Sequence, residues 1–285
     1  MSDRTNNILF IGGDRRNVYL YERIREQEQA ELHAYGLAIA DVAHKDLPQA
    51  IGKADAIVLP IPSEREGMVP LLALESAIPL TDVLDAMHPG AGLVGGFLDE
   101  APRREGLRVL DLLHDEEFQT LNAWPTAEGA VRIALERTER TLKDSRCTIL
   151  GYGRIGKALT ALLQSFGSEV VVTARRPEQW QEIACYGAEP FATDDLVDAC
   201  RNSHFIFNTI PVVLLREDEL RQLRRDVCII DLASVPYGVD FNAASRLKLD
   251  AQPYPSLPGR MFPKSAAGIV YHCMQNLLNP SGTGE

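Results

Sequence analysis

Residues 147–176, CTILGYGRIGKALTALLQSFGSEVVVTARR, carry the chain's most specific chemistry. Gly151, Gly153 and Gly156 stand at G-x-G-x-x-G spacing, directly after a strand-like apolar run. Ile155, Leu159, Leu162, Leu163 and Phe166 then share one face of a helical pattern. That context predicts a dinucleotide turn. The first glycine permits the tight turn, the second removes a Cβ that would obstruct a pyrophosphate, and the third lets helix and sheet approach. Tyr152, Arg154 and Ile155 complete the turn, whose unpaired amides and helix dipole would stabilise the diphosphate. Three glycines at this spacing are common; the flanking strand, helix and second strand EVVVTA make them specific.

The end of that second strand is where a carboxylate grips the adenosine ribose in NAD-binding chains. Here it reads Thr173, Ala174, Arg175, Arg176, and the next acid is Glu178. Without the acid a 2'-phosphate meets no repulsion, and a guanidinium offers it bidentate hydrogen bonds. NADP or NADPH is therefore expected over NAD. The alternative for the pair is an exposed loop with no specific contact, and it weighs more on Arg176 than on Arg175.

Two later strands end in NTIP and DLAS. Asn208, Thr209, Pro211 and Ser234 are expected near the ribose and nicotinamide, because ligands lie beyond the carboxyl ends of parallel strands. Asp231 could equally accept from a ribose or tie down its strand end. Gly259 allows close backbone passage, and Lys264 could reach an anion or be simply solvated. In the first half, Asp14, Arg15 and Arg16 in GGDRR, and Ser63 and Arg65 in LPIPSEREG, suit a small polar anionic ligand; a surface turn would use the same residue types as the second loop. Thr126 is expected to cap a long helix beginning there, with free amides near Glu128 and Gly129 for a substrate carboxylate.

No histidine stands out as a general base. His33 and His44 look superficial, His88 lies in a proline-bounded loop, His204 begins a core strand and His272 sits in the terminal helix, which leaves His114 as the least improbable. The H-E-x-x-H, G-x-S-x-G and P-loop signatures are all missing from the sequence.

Strands and helices in succession must position these residues. The first half reads as strand NILFIGGD, a helix running to Gly36, strand LAIAD, a short helix LPQAIGKA, strand DAIVLPIP, helix MVPLLALESA, and strands AGLVGGFL and LRVLDLL. The second half is another βα series. The expected fold class is α/β, two doubly wound parallel-sheet domains with an interdomain cleft. Residues 1–125 form a flavodoxin- or Rossmann-like substrate domain, with the terminal helix 265–285 packing on it; residues 126–264 form the linking helix and a Rossmann NADP-binding domain. The polar stretch ERTERTLKDS reads as the best boundary.

At 285 residues with 45% hydrophobic and 24% charged residues, the composition is that of a globular protein able to fill two cores. No apolar run is long enough to span a bilayer, and MSDRTNNILF lacks a signal's apolar segment, so a cytoplasmic protein is expected. A net charge of -11 argues against nucleic acid as a partner, though a local basic pocket remains compatible with it. Besides the arginines already named, Arg103-Arg104 and Arg224-Arg225 are basic pairs. The five cysteines lack metal-ligand spacing and read as reduced, mostly buried thiols, with no metal site.

Taken together, ILFIGGDRR, AIVLPIP, AWPTAEGAVRIAL, ILGYGRIGKAL, FNTIP, IIDLAS and PGRMFPKSAAGIV resemble the family of the dipicolinate synthase A subunit over nearly the whole chain. The resemblance implies NADP-linked oxidation of a dihydrodipicolinate to pyridine-2,6-dicarboxylate, a branch off lysine biosynthesis in the mother cell of a sporulating bacterium. It also implies the flavoprotein-like dipicolinate synthase B subunit as partner and a small dicarboxylate as substrate. A homo-oligomer is compatible with it. Two alternatives stay open: an NAD(P)-dependent amino-acid or 2-hydroxy-acid dehydrogenase, and a non-catalytic NADPH-binding regulatory subunit.

Overall fold

The computed structural model describes residues 6–27, 30–39, 46–98 and 106–278. The chain divides into two compact units, Met1–Asn122 with Phe262–Glu285, and Ala123–Met261. It crosses between them inside one helix rather than at the polar ERTERTLKDS stretch.

The first unit is built on a parallel sheet in the order β2-β1-β3-β6-β7, from β1 (Asn6–Ile11), β2 (Ala30–Tyr35), β3 (Ala56–Val58), β6 (Gly92–Gly95) and β7 (Arg108–Asp111). Alternate residues of β1 serve opposite faces. Ile8 and Phe10 join Leu20, Ile24, Val270 and Met274 in one cluster, while Leu9 and Ile11 join Leu59, Val69 and Val83 in the other. A sheet buried on both faces needs continuous apolar strands, which is what ILFI supplies. Helices α1 (Arg15–Gln27) and α11 (Pro263–Leu278) lie together over the first face. On the second are α2 (Leu47–Lys53) and α3 (Leu80–Ala86).

Two expectations fail in this unit. MVPLLALESA is not an α-helix but an antiparallel hairpin, β4 (Met68–Leu71) with β5 (Ser76–Pro79), joined by a single 3-10 turn at Leu72–Leu74. Pro70 cannot donate inside a helix, and Glu75 with φ 49° closes the turn. The second strand is not LAIAD but β2, which precedes Gly36 and takes over the end of the segment expected to be helical; Ala40 and Asp41 lie outside the described residues. An edge strand pairs on one side only, so its apolar pattern is weak. Arg103, Arg104 and His44 also lie outside the described residues.

The second unit holds a six-stranded parallel sheet, β10-β9-β8-β11-β12-β13, from β8 (Arg146–Leu150), β9 (Glu169–Ala174), β10 (Glu189–Ala192), β11 (Phe205–Asn208), β12 (Cys228–Asp231) and β13 (Asp250–Pro253). Strand order reverses between β8 and β11, so the loops leaving their carboxyl ends diverge and leave a crevice, the usual ligand position in such sheets. Helices α5 (Arg154–Ser165), α6 (Pro177–Cys185), α7 (Leu196–Cys200), α8 (Glu217–Leu220), α9 (Phe241–Arg246) and α10 (Leu257–Met261) complete the unit.

Helix α4 (Glu116–Glu136) joins the units and contains Pro125 in its interior. The expected start at Thr126 is therefore corrected: the helix begins ten residues earlier than that position implies, and Thr126 is a buried mid-helix residue with no capping role. Proline removes one backbone donor and strains one turn, but the apolar face of Phe118, Ala123, Ala127, Ala130 and Ala134 is buried on both sides of it and carries the helix through.

Cys147, Cys200, Cys228 and Cys273 are buried and Cys185 is exposed. Burial pushes the first four thiols up to about 12, which keeps them protonated and unreactive. Among the described residues no group of three or more His, Cys, Asp or Glu is placed to hold a metal, and no helix is long and apolar enough to cross a membrane.

His204 gives the second unit a pH-sensitive joint. Its Nδ1 accepts the Arg146 backbone N–H at 3.0 Å, a role only an unprotonated nitrogen can fill. Burial lowers its pKa, and the charges of Arg224 and Arg140 lower it further. The folded state thus binds this proton more weakly than the unfolded chain does. Its contribution to stability is complete above an ordinary imidazole pKa of about 6.5 and is lost as pH falls through the lowered folded value. Thermal denaturation should show His204→Gln with a shallower loss of Tm than the parent between about pH 6.5 and 5; parallel curves would contradict this.

Candidate functional site

The turn after β8 assigns each glycine a separate task. Gly151 has φ 97°, a left-handed backbone that favours glycine, and an added Cβ would press on Thr209 Oγ1 at 2.6 Å. A Cβ on Gly156 would collide with the Gly151 carbonyl oxygen, so helix α5 meets the turn only through glycine. At Gly153 nothing lies within 4 Å of the added atom. Its missing side chain serves open space, the direction from which a ligand would come. Gly153 is also the N-cap of α5, and among the described residues no side chain caps that helix start. Its first amides therefore remain donors for an anion.

Neighbouring side chains brace this turn. Thr173, fully buried at the end of β9, accepts the Gly151 N–H through both Oγ1 and its carbonyl at 3.2 Å. Tyr152 is buried against the core with Lys157 Nζ 5.2 Å from its ring centroid, and burial first, then Glu182, pushes its phenol up to about 12. Gln179 Nε2 donates to the Tyr152 carbonyl at 3.2 Å, and Trp180 Nε1 to that of Ala174 at 3.0 Å. Thr173 and the Tyr152 ring thus shape the turn from behind. Ile155 packs partly into the core, and Arg154 stands exposed as the first residue of α5.

Beyond β9, Arg175 and Arg176 are both exposed. Arg176 is the N-cap of α6, with Pro177 following and Glu178 in the first turn. No acid precedes that helix at the strand end, so the local charge is cationic.

The ends of β11 and β12 hold a buried polar knot. Asn208 Nδ2 donates to Asp231 Oδ1 at 2.8 Å and to the Ile210 carbonyl at 3.0 Å. Asp231 also accepts from the Ala233 N–H at 3.0 Å and the Gly238 N–H at 2.7 Å. Both residues are fully buried, and burial raises the Asp231 pKa against the opposing hydrogen bonds from Asn208 and the backbone. Asn208, expected near the ribose, and Asp231, open to either a ribose or a strand-end role, bind one another and fix the loops that follow. Of Asp231's two readings, the tie at the strand end is the one its geometry displays. Thr209 Oγ1 donates to the Leu150 carbonyl at 2.8 Å, whereas Pro211 and Ser234 are exposed on those loops. Val212 and Val235 stand beside them, also exposed.

In the first unit, Arg16 is buried and Arg15 exposed. Arg16 forms a fork with Asp14, Nε to Oδ1 at 3.1 Å and Nη2 to Oδ2 at 2.8 Å, and Nη2 also donates to the Ile61 carbonyl at 2.5 Å. Ser63 is fully buried; its Oγ donates to the Pro60 carbonyl at 3.0 Å and accepts the Gly96 N–H at 2.8 Å. These residues tie the loops after β1, β3 and β6 together rather than facing outward. Of the candidate residues in these loops, the exposed cations are Arg15, whose guanidinium lies 5.9 Å from the Tyr19 ring centroid, and Arg65. Of the remaining candidates, Glu128 is exposed on α4, Gly259 is buried in α10, and Lys264 is exposed in the first turn of α11.

At the end of β7 stands Asp111, a residue that sequence reasoning passed over, beside His114, which it had singled out. Asp111 accepts from His114 Nδ1 at 2.9 Å and from the backbone of Phe97 at 3.0 Å and Leu98 at 2.8 Å. The D-x-x-H spacing at a strand end was the available signal.

Residues 7–112 match the N-terminal domain of the dipicolinate synthase A subunit. The A subunit of dipicolinate synthase from Bacillus subtilis (strain 168) is 28% identical over 283 residues, which cover 95% of each chain. This chain is a homologue of the dipicolinate synthase A subunit. The crystal structure of that protein from Bacillus halodurans has a TM-score of 0.87 to it at 26% identity, over 96% of this chain and 97% of the other. Residues 116–236 match the NAD binding domain of D-isomer specific 2-hydroxyacid dehydrogenases. D-lactate dehydrogenase from Escherichia coli, with a TM-score of 0.63 at 16% identity and 96% of both chains covered, shares the fold. The chain thus has two α/β domains with parallel sheets, the second of them matched by the model of an NAD-binding domain.

Proposed function

We propose that this chain is the NADP-dependent oxidoreductase component of dipicolinate formation, oxidising a dihydrodipicolinate to pyridine-2,6-dicarboxylate. One observation carries the reading: the match to the dipicolinate synthase A subunit runs over 95% of both chains, both units included. NADP supplies the hydride acceptor. The amides of Gly153, Arg154 and Ile155 hold its pyrophosphate, and Arg175 with Arg176 holds its 2'-phosphate. Thr209, Pro211 and Ser234 face its ribose and nicotinamide, with Thr173, Asn208 and Asp231 setting their loops. Gly259 and Lys264 are further cofactor contacts.

Arg15 and Arg65 hold the substrate carboxylates, since a dicarboxylate needs a cation or free amides at each end. Asp14, Arg16 and Ser63 set the geometry of that surface, and Thr126 and Glu128 belong to the same substrate set. Aromatisation makes the oxidation favourable. The flavoprotein-like B subunit of dipicolinate synthase is the partner, and the compartment is the cytoplasm of the mother cell.

The test supplies aspartate semialdehyde, pyruvate and the condensing enzyme, then measures dipicolinate and NADPH with this chain, its flavoprotein-like partner, or both. Dipicolinate and NADPH formed together support the reading. No dipicolinate with both proteins present rejects it; turnover of simple keto acids instead would favour a 2-hydroxy-acid dehydrogenase, and NADPH binding without turnover a regulatory role.

A further inference from the structure

The segment that carries the arginine pair is tied at both ends to the glycine turn. At its start Thr173 accepts the Gly151 N–H, through Oγ1 and through its carbonyl, each at 3.2 Å. At its far end Gln179 Nε2 donates to the Tyr152 carbonyl at 3.2 Å. A carbonyl only accepts, so the amide nitrogen of Gln179 is the atom that must face it. Two consecutive residues of the turn, Gly151 and Tyr152, therefore hold both Thr173 and Gln179, and Arg175 and Arg176 stand exposed between them.

The two ties differ in kind. Thr173 belongs to β9 and pairs with Leu150 of β8, so its bond comes with the sheet. Gln179 lies beyond the strand, in the first turn of α6, and its bond comes from a side chain alone. The helix has other anchors. Ile183 is fully buried in the core, Trp180 packs on the same cluster, and Trp180 Nε1 closes the loop by donating to the Ala174 carbonyl at 3.0 Å. An ion pair of Lys157 with Glu182, at 2.8 Å, also joins α6 to α5. What Gln179 adds is a set separation between the entry of α6, where the guanidiniums stand, and the free amides at the start of α5. Every group involved belongs to the second unit.

We propose that Gln179 is a positioning residue for NADP selectivity: it sets Arg175 and Arg176 from the turn that carries the pyrophosphate, so that both anionic parts of one nucleotide meet donors already spaced for them. This rests on the functional reading above, and there on its cofactor alone. The 2'-phosphate and the diphosphate belong to one molecule, and the covalent frame between them limits their separation. Guanidiniums that have lost their reference to the turn must be ordered again on binding, and that cost falls on NADP. NAD has no 2'-phosphate and makes no use of the arginine pair. Loss of the tie is therefore expected to weaken one nucleotide and spare the other.

The experiment titrates NADP and NAD separately against the full chain. Gln179→Met keeps the length of the side chain and a good helix former but removes the donor. It is expected to weaken NADP about five- to tenfold, the equivalent of one hydrogen bond. NAD should stay within about twofold of the parent, the scatter expected of uncoupled sites. The ratio decides the matter, because a merely structural loss would weaken both nucleotides alike. In a background of Arg175→Ala with Arg176→Ala, the same substitution should change NADP by less than about twofold, since a residue that acts through the arginines has nothing left to position. Parent affinities in Gln179→Met, an equal loss for both nucleotides, or a full loss that persists without the arginines would each overturn the proposal. If the parent binds NAD as tightly as NADP, the cofactor reading itself has failed and the proposal with it; if the parent prefers NADP and Gln179→Met keeps that preference, only the positioning role has been misassigned.

Discussion

Arg175→Asp is expected to weaken NADP binding by roughly 10²-fold while leaving NAD within about threefold of the parent value, because hydrogen bonds to a charged group are each worth about 1.5–3 kcal/mol and about 1.4 kcal/mol is tenfold. The new carboxylate repels a 2'-phosphate and can accept from a 2'-hydroxyl, so the two nucleotides should diverge rather than fall together. Titration of both nucleotides against parent and variant measures the ratio; an equal loss for NADP and NAD would remove Arg175 from the phosphate site. Arg176 needs its own control, since it is the N-cap of α6 and no described side chain caps that helix. Aspartate is a favoured N-cap and a negative charge at a helix start is stabilising. Arg176→Asp should therefore raise Tm even as it weakens NADP, whereas Arg175→Asp should leave Tm near the parent value.

The second large effect separates two glycines three residues apart. Gly156→Ala places a methyl group against the Gly151 carbonyl oxygen, and the neighbour in the way is backbone. Overpacking of this kind costs about 1–3 kcal/mol, so Tm should fall by several degrees and nucleotide binding with it. Gly153→Ala meets nothing within 4 Å and keeps a φ of -85° that any residue adopts. Its stability should stay within about 0.5 kcal/mol of the parent, as for surface substitutions. The same methyl group stands where a pyrophosphate must approach, and nucleotide affinity should fall by about ten- to a hundredfold, or about 1.4–2.7 kcal/mol. Calorimetric unfolding and nucleotide titration on the two variants give the contrast. Parent affinity in Gly153→Ala would mean that no diphosphate lies on this turn.

The folded arrangement also divides the arginine-rich loop of the first unit. Arg15 and Arg16 are neighbours of one type, yet one faces solvent and the other is enclosed by Asp14 and the Ile61 carbonyl. A residue-type argument treats them alike; only their position on α1, one turned outward and one toward the loop after β3, distinguishes a guanidinium offered to a ligand from one that holds the scaffold.

What could be read from the sequence was whatever depends on near neighbours. The apolar runs of β1, β8, β9, β11 and β12 declare buried parallel strands, and the glycine turn declares itself because its strand, glycines and helix are contiguous. The cationic end of β9 is legible for the same reason. The tertiary structure alone decided the rest, because those outcomes depend on partners distant in sequence. Pro125 sits inside a helix since packing on both sides outweighs one lost donor, and Asn208 faces Asp231, 23 residues away. Asp111 gains its reach over Phe97, 14 residues earlier, only when β6 and β7 lie side by side. Short-range geometry writes strands and turns into the chain; which polar side chains stay open to a ligand is settled by what the folded sheet brings against them.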